Sequence, residues 1–143
     1  MEITRIKKLD GETALPGDQK ISLVTAMLGA LADGRTELRN FSSHSLCSEL
    51  IEQLKLQGTS FQDEDRILKI DGKGKNGWVK QESPLDIAGS EIILKFLTGP
   101  LSGQYFESEI KGNPYISLAP MDEIIQPLKK MNVSLEAQEE QHL

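Results

Sequence analysis

Cysteine, histidine and aromatic residues are scarce in this 143-residue chain: one Cys, two His, and 5% Phe, Trp and Tyr together. A lone cysteine, Cys47, closes no internal disulfide and builds no thiolate metal cluster; within an apolar helical pattern it reads as a small buried hydrophobe. His44 and His142 lie far apart with no second ligand at metal spacing, so neither a metal nor any other cofactor is expected. No apolar run approaches the ~20 residues that span a bilayer, and the charged opening, Met1–Asp18, lacks the apolar stretch of a secretory signal. These absences point to a cytoplasmic protein without a membrane partner. Cations are also outnumbered, with 16 Lys and Arg against 22 Asp and Glu and a formal charge of -6. Clustered Lys and Arg drive nucleic-acid binding by releasing counterions, so nucleic acid is not an expected partner. What remains, 38% hydrophobic and 27% charged residues, suffices for the core of one globular domain over residues 1–143.

Periodicity divides the chain into short elements. Glu2–Ile6 alternates polar and apolar residues as a strand does, and Leu15-Pro16-Gly17-Asp18 reads as a turn that ends in a helix N-cap. A helix follows over Ile21–Ala32, with Ile21, Val24, Leu28 and Leu31 recurring and Gly34 placed to end it with φ > 0. Thr36–Phe41 reads as a strand. Ser42 or Ser43 is placed to cap a second helix, whose Leu46, Leu50, Ile51 and Leu54 form one apolar face before Gly58. Phe61 and Ile67, Leu68 and Ile70 fall in two strands joined by the acidic connector Asp63-Glu64-Asp65. The glycine-rich link Gly72–Gly77 lacks the spacing of a phosphate-binding loop and opens no helix, so it reads as a turn. Trp78 beside it is a partner contact or, better, a ring covering one end of the fold.

The pattern then begins again. Leu28–Gly34 resembles Leu97–Gly103, Ile51–Lys55 resembles Ile125–Lys129, and Gly58–Phe61 matches Asn132–Leu135. Two copies of helix, strand, helix, strand are implied, unit 1 over about residues 14–71 and unit 2 over about residues 84–143. The second copy offers no counterpart of the Arg66–Ile70 strand and reads as cut short. An incomplete repeat leaves a strand edge or apolar face open, which points to self-association or a protein partner.

Three segments carry a resemblance to the enolpyruvyl transferases, the 5-enolpyruvylshikimate-3-phosphate synthases among them. They are Leu15–Ser22 with the following Ala26–Gly34, Leu85–Ser90 with its following helix, and Leu118-Ala119-Pro120-Met121 leading to Ile125–Leu128. The resemblance runs along essentially the whole chain and covers about the first third of that family's usual length. It implies an α+β fold of repeated βαβαββ units packed as an inside-out α/β barrel, here about one and a half to two units.

The resemblance also implies a chemistry: transfer of the enolpyruvyl group of phosphoenolpyruvate to the 5-hydroxyl of shikimate 3-phosphate, at a site rich in cations and backbone amides. Against the family pattern P-G-D-K-S-I-S-H-R this chain has Gln19 at the Lys, Lys20 at the first Ser, Ser22 at the second and Val24 at the Arg. Against L-D-x-G-N-S-G-T-x-x-R it keeps Ser90, places Glu91 at a glycine against which phosphoenolpyruvate packs, and has Lys95 at the Arg. Against G-D-x-S-L-x-x-R-P-M it has Ala119 at the arginine, with Pro120 and Met121 kept. Residues that shape the fold persist while those that meet an anion are replaced, and the family's general acid/base groups come from a part absent here. No catalytic residue is therefore assigned, and shikimate 3-phosphate is expected to bind weakly at most. Ser22, Ser90 and Ser117 have no nucleophile-elbow context.

Three functions follow: a truncated, degenerate relative without catalysis; the N-terminal part of a split enzyme active only with a C-terminal partner, using Lys20, Ser22 and Lys95; and a binding module for a less anionic ligand that Glu91 could pair with.

Overall fold

The computed structural model describes residues 8, 10–113, 116 and 121–136. The expected strand at Glu2–Ile6 and most of the acidic tail after Leu135 lie outside them. Among the described residues, four helices and five strands follow in the order α1 (Gln19–Leu31), β1 (Asp33–Arg39), α2 (Ser45–Leu56), β2 (Ser60–Glu64), β3 (Ile67–Lys73), β4 (Leu85–Asp86), α3 (Glu91–Ser102), β5 (Ile110–Lys111) and α4 (Asp122–Lys130). Helix, strand, helix thus occurs twice, as α1-β1-α2 and α3-β5-α4. Residues 133–136 after α4 form no strand, whereas α2 is followed by the β2-β3 hairpin.

The first sheet is antiparallel in the order β1-β3-β2, with Thr36 opposite Ile70 and Leu38 opposite Leu68 on one ladder, and Phe61 opposite Ile70 on the other. Period-2 alternation places those residues on one face of the sheet, and α1 packs on both β3 and α2. Closeness is set by small residues: a Cβ on Gly29 would lie 2.9 Å from the Ile70 side chain. The core joins Leu23, Ala26 and Ala30 of α1 to Cys47, Leu50 and Leu54 of α2, Ile70 of β3 and Ile93 and Leu97 of α3. A second, parallel pair joins β4 to β5, Leu85 opposite Ile110. Trp78 is 4% exposed and belongs to the core, so its ring covers apolar side chains and presents no free surface. Among the described residues no helix is long and apolar enough to cross a membrane.

Several boundaries differ from the periodicity. α1 begins two residues before Ile21 because Asp18 caps it, the carboxylate accepting from the Ile21 amide at 2.8 Å. It ends on extended Ala32, and Gly34, with φ 122°, belongs to β1 rather than to a helix stop. β1 accordingly starts three residues earlier than Thr36 and ends before Phe41. Neither Ser42 nor Ser43 caps α2: His44 Nδ1 accepts from the Leu46 amide at 3.2 Å, and Ser42 Oγ accepts from the His44 amide at 3.3 Å. The serine supports the cap and the imidazole makes it. The hairpin turn is Asp65-Arg66, both residues with positive φ (52° and 63°), because the strand continues through Glu64. Gly103 ends α3 in a right-handed conformation, whereas Gly58 and Asn132 both take positive φ, 89° and 64°, just after α2 and α4.

Candidate functional site

The first motif forms the head of α1. A Cβ on Gly17 would lie 1.8 Å from the Asn40 carbonyl oxygen, so the loop before the helix sits directly on the end of β1 and only glycine fits there. Gln19 is half-buried, and its carbonyl accepts from the Cys47 thiol at 3.8 Å. Burial pushes the Cys47 thiol up from its ordinary value. Ser22 is 4% exposed, with its hydroxyl accepting from the Ser42 amide at 3.0 Å. Lys20 is exposed and makes no ion pair among the described residues, and Val24 is 45% exposed. Residues two apart on a helix point ~200° apart, so Ser22 and Val24 cannot share a face. Ser22 ties the helix to the β1–α2 connection, while Lys20 and Val24 face outward.

The second motif forms the head of α3. Asp86 accepts from the Ala88 amide at 2.8 Å, and the chain then turns through two left-handed residues, Ala88 (φ 54°) and Gly89 (φ 135°). Two side chains from other elements hold this turn: Gln53 of α2 donates to the Asp86 carbonyl at 2.9 Å, and Asn113 donates to the Ala88 carbonyl at 2.8 Å. Ser90 caps α3 by accepting from the Ile93 amide at 3.2 Å. Glu91 in the first turn meets Lys95 one turn later in an ion pair. That hydrogen bond from the ammonium to Glu91 raises Lys95 above the ordinary lysine value, and Glu123 of α4 adds to the effect.

Electrostatically, the two helix heads differ from an anion-binding pair of N-termini. The α1 head already holds the Asp18 carboxylate, and the α3 head holds Glu91, each where a free anion would gain from helix amides and dipole. Lys95 has a carboxylate partner. α2 packs on both α1 and α3. Ser90, Glu91 and Lys95 are therefore brought together, Gln19, Lys20, Ser22 and Val24 form a separate group, and Ala119 falls outside the described residues with Ser117 and Pro120.

One further feature was not evident from the motifs. A cavity of about 400 Å³ opens beside the head of α2, lined by Asn40, Ser42, Ser43, Ser48, Asp63 and Arg66 among others. Ser42 links it to Ser22. The only sequence signal was the Ser42-Ser43 pair; Arg66 joins the wall from the hairpin turn. Among the described residues no group of three His, Cys, Asp or Glu side chains is placed to hold a metal ion.

Comparison with known proteins places this geometry. A family model described as EPSP synthase (3-phosphoshikimate 1-carboxyvinyltransferase) matches residues 3–143. A 3-phosphoshikimate 1-carboxyvinyltransferase of Streptococcus uberis is 34% identical over 135 residues, which is 94% of this chain and 32% of the relative. The enzyme of that name from Bacillus subtilis is 32% identical over 136 residues, 95% of this chain and 32% of its own length. The solved EPSP synthase from Acinetobacter baumannii superposes with a TM-score of 0.82 at 28% identity, covering 91% of this chain and 30% of that one. The fold is that of an α+β enolpyruvyl transferase, present in part. The chain belongs to the EPSP synthase family, and it spans about a third of the length of the curated relatives it matches (32%).

Proposed function

We propose that this chain keeps the enolpyruvyl transferase fold as a scaffold and does not itself transfer the carboxyvinyl group of phosphoenolpyruvate to shikimate 3-phosphate. The carrying observation is the Glu91–Lys95 ion pair at the head of α3. Phosphoenolpyruvate brings a carboxylate and a phosphate, and two like charges at ~4 Å repel by ~1 kcal/mol in bulk water and ~4 kcal/mol near a protein surface. The one cation of that motif is engaged by the carboxylate that opposes the substrate. Val24 and Ala119 in place of family arginines support the same reading. The test is to incubate the chain with both substrates and follow inorganic phosphate, with amide shifts around residues 17–22 and 89–95 recorded on titration with each. No phosphate release and no localised shifts are expected; turnover by this chain alone would overturn the proposal.

A second reading is supported by coverage, since the chain corresponds to 32% of its curated relatives and 30% of a solved one. In that reading it is the N-terminal piece of a split synthase, with Lys20 and Lys95 offering shikimate-phosphate contacts once Glu91 is displaced. Phosphate release that appears only after adding a polypeptide equivalent to the remaining part of the Streptococcus uberis relative would favour it. Contact with another polypeptide is supported in both readings by the uncovered apolar stripe of α1, where Ile21 and Leu28 are 66% and 62% exposed. A monomer by light scattering, alone and mixed with that polypeptide, would overturn the contact.

A further inference from the structure

β1 forms one edge of the first sheet: in the order β1-β3-β2 its neighbour among the described residues is β3 alone, so its outward backbone groups have no strand opposite them. An open edge is a template for another strand, and natural sheets blunt such edges with lysine, proline or a bulge. β1 contains neither lysine nor proline, and its register with β3 runs unbroken from Asp33 opposite Lys73 to Arg39 opposite Ile67, so no bulge interrupts it. Its residues alternate in character. Asp33, Arg35, Glu37 and Arg39 are exposed on one face, while Thr36 and Leu38 are half-buried on the other, where Thr36 meets Gly29 of α1. Arg35 bonds Asp71 of β3, whereas Asp33, Glu37 and Arg39 make no ion pair among the described residues.

The order of those charges selects the partner. Opposite charges directly across an antiparallel pair stabilise it, and like charges there destabilise it. When β1 meets a second β1 antiparallel about Thr36, Asp33 falls opposite Arg39 and Arg35 opposite Glu37, each twice, with Thr36 opposite Thr36. A shift of two residues one way sets Arg35 against Arg35 and Asp33 against Glu37; a shift the other way sets Glu37 against Glu37 and Arg35 against Arg39. A slip of one residue puts the charged face of one strand beside the half-buried face of the other, and a parallel in-register pair sets each charge beside its own copy. The Thr36-centred register alone pairs every charge, with Arg35 held between Asp71 of its own chain and Glu37 of the second copy. The other edge, β2, carries Asp63 and Glu64 and no cation, so it has no such self-complement. We propose that β1 is a self-recognition edge, through which two copies of this chain join their three-stranded sheets in an antiparallel, two-fold contact centred on Thr36. Such a contact keeps both α1 helices on the same face of the joint sheet, so the exposed Ile21 and Leu28 of the two copies come to one side of it.

The test is light scattering of the full chain over a concentration series, with amide exchange of residues 33–39 followed by NMR on the same samples. A concentration-dependent dimer is expected, with β1 amides that gain protection as the dimer forms. Asp33→Arg and Arg39→Asp each set like charges opposite one another twice, and each should weaken the dimer about tenfold or more. An equimolar mixture of the two variants restores opposite signs and should dimerise as strongly as wild type. Both side chains are exposed and make no ion pair among the described residues, so neither variant disturbs the fold. A monomer at every concentration up to about 1 mM overturns the proposal. So does a dimer that neither variant weakens or whose β1 amides gain no protection, which would assign the contact to another surface. Failure of the mixture to recover the dimer overturns it too, as does association only with a polypeptide equivalent to the remaining part of the Streptococcus uberis relative. None of these outcomes bears on whether the chain turns over phosphoenolpyruvate, which phosphate release decides separately.

Discussion

Glu91 and Lys95 sit one helical turn apart on α3, and their ion pair occupies the place where the family motif puts a glycine and an arginine. The pair raises Lys95 above the ordinary lysine value, with Glu91 the larger cause and Glu123 a smaller one. A cation whose pKa is raised by folding adds stability that is fully present below its unfolded value and disappears as pH climbs through the folded one. Glu91→Gln should therefore lower the Lys95 titration midpoint without returning it fully to the ordinary value, since Glu123 remains. On the alkaline side, the stability difference between wild type and variant should shrink only in the strongly alkaline range, as Lys95 loses its proton. An unchanged Lys95 midpoint, read from its side-chain nitrogen by NMR, would show that the pair does not persist in solution.

Removing the carboxylate altogether tests its role toward a ligand. Glu91→Gly leaves Lys95 without its partner at the helix head and takes away the repulsion that opposes phosphoenolpyruvate. Amide shifts around residues 89–95 should appear with millimolar phosphoenolpyruvate in the variant and be absent in the wild type. If neither protein responds, the missing arginines at Val24 and Ala119 matter more than the carboxylate does.

Ala88 gives a prediction on stability. It holds φ 54° between two anchored neighbours, Asp86 accepting from its amide and Asn113 donating to its carbonyl. A residue with a Cβ in the left-handed region is disfavoured by roughly 1–2 kcal/mol relative to glycine, partly offset by the greater freedom glycine has when unfolded. Ala88→Gly should raise stability by about 0.5–1 kcal/mol in thermal or urea unfolding, and Ala88→Val should lower it. A loss on Ala88→Gly would mean that the turn is not held in the left-handed conformation.

How much of this could be read beforehand depends on whether the determining contact was local. Asp18 is visible as a cap because it lies three residues from the amide it serves, and Gly58 is visible as a helix stop for the same reason. The repeat of helix, strand, helix was legible from spacing, and the family motifs located both helix heads. Three features were not legible. His44 rather than Ser42 is the cap because α2 begins at Ser45, which leaves Ser42 two residues before the cap position. Ser22 looked like a site residue, yet its partner Ser42 lies twenty positions on, a distance fixed only by packing. A cavity lined by Gln57 joins three segments, 80–85, 107–109 and 134–136, that no pattern links.

The sheet carries a prediction on acid stability. Arg35 and Asp71, opposite each other in the β1–β3 register, make two hydrogen bonds of 2.8 and 3.0 Å, which hold the Asp71 carboxyl below its ordinary value; Lys69 does the same for Glu64. A carboxylate whose pKa is lowered by folding contributes stability present above its unfolded value and lost as pH falls through the folded one. Both carboxylates are exposed, so the contribution is modest and screened by salt. Wild type should lose more stability than Asp71→Asn as pH drops below about 4, the usual aspartate range, and 0.5 M salt should narrow the gap. Equal acid slopes would remove the Arg35–Asp71 pair as a contributor.

Ser22 separates structural from ligand-binding roles within the first motif. Its hydroxyl is the partner of the buried Ser42 amide, and Ser42 in turn supports the His44 cap and lines the cavity beside α2. Ser22→Ala leaves that amide unpaired where water has little access, which costs about 1–3 kcal/mol. Ser22→Ala should therefore lower the urea midpoint with little change in its slope, and amide shifts should spread from Ser42 into the start of α2. Lys20→Ala, on the exposed side of the same helix turn, should leave stability within ~0.5 kcal/mol of wild type. If the two variants exchanged these outcomes, the inward hydrogen bond would not be what holds α1 against the β1–α2 connection, and Ser22 would be free to meet a ligand as the family motif implies.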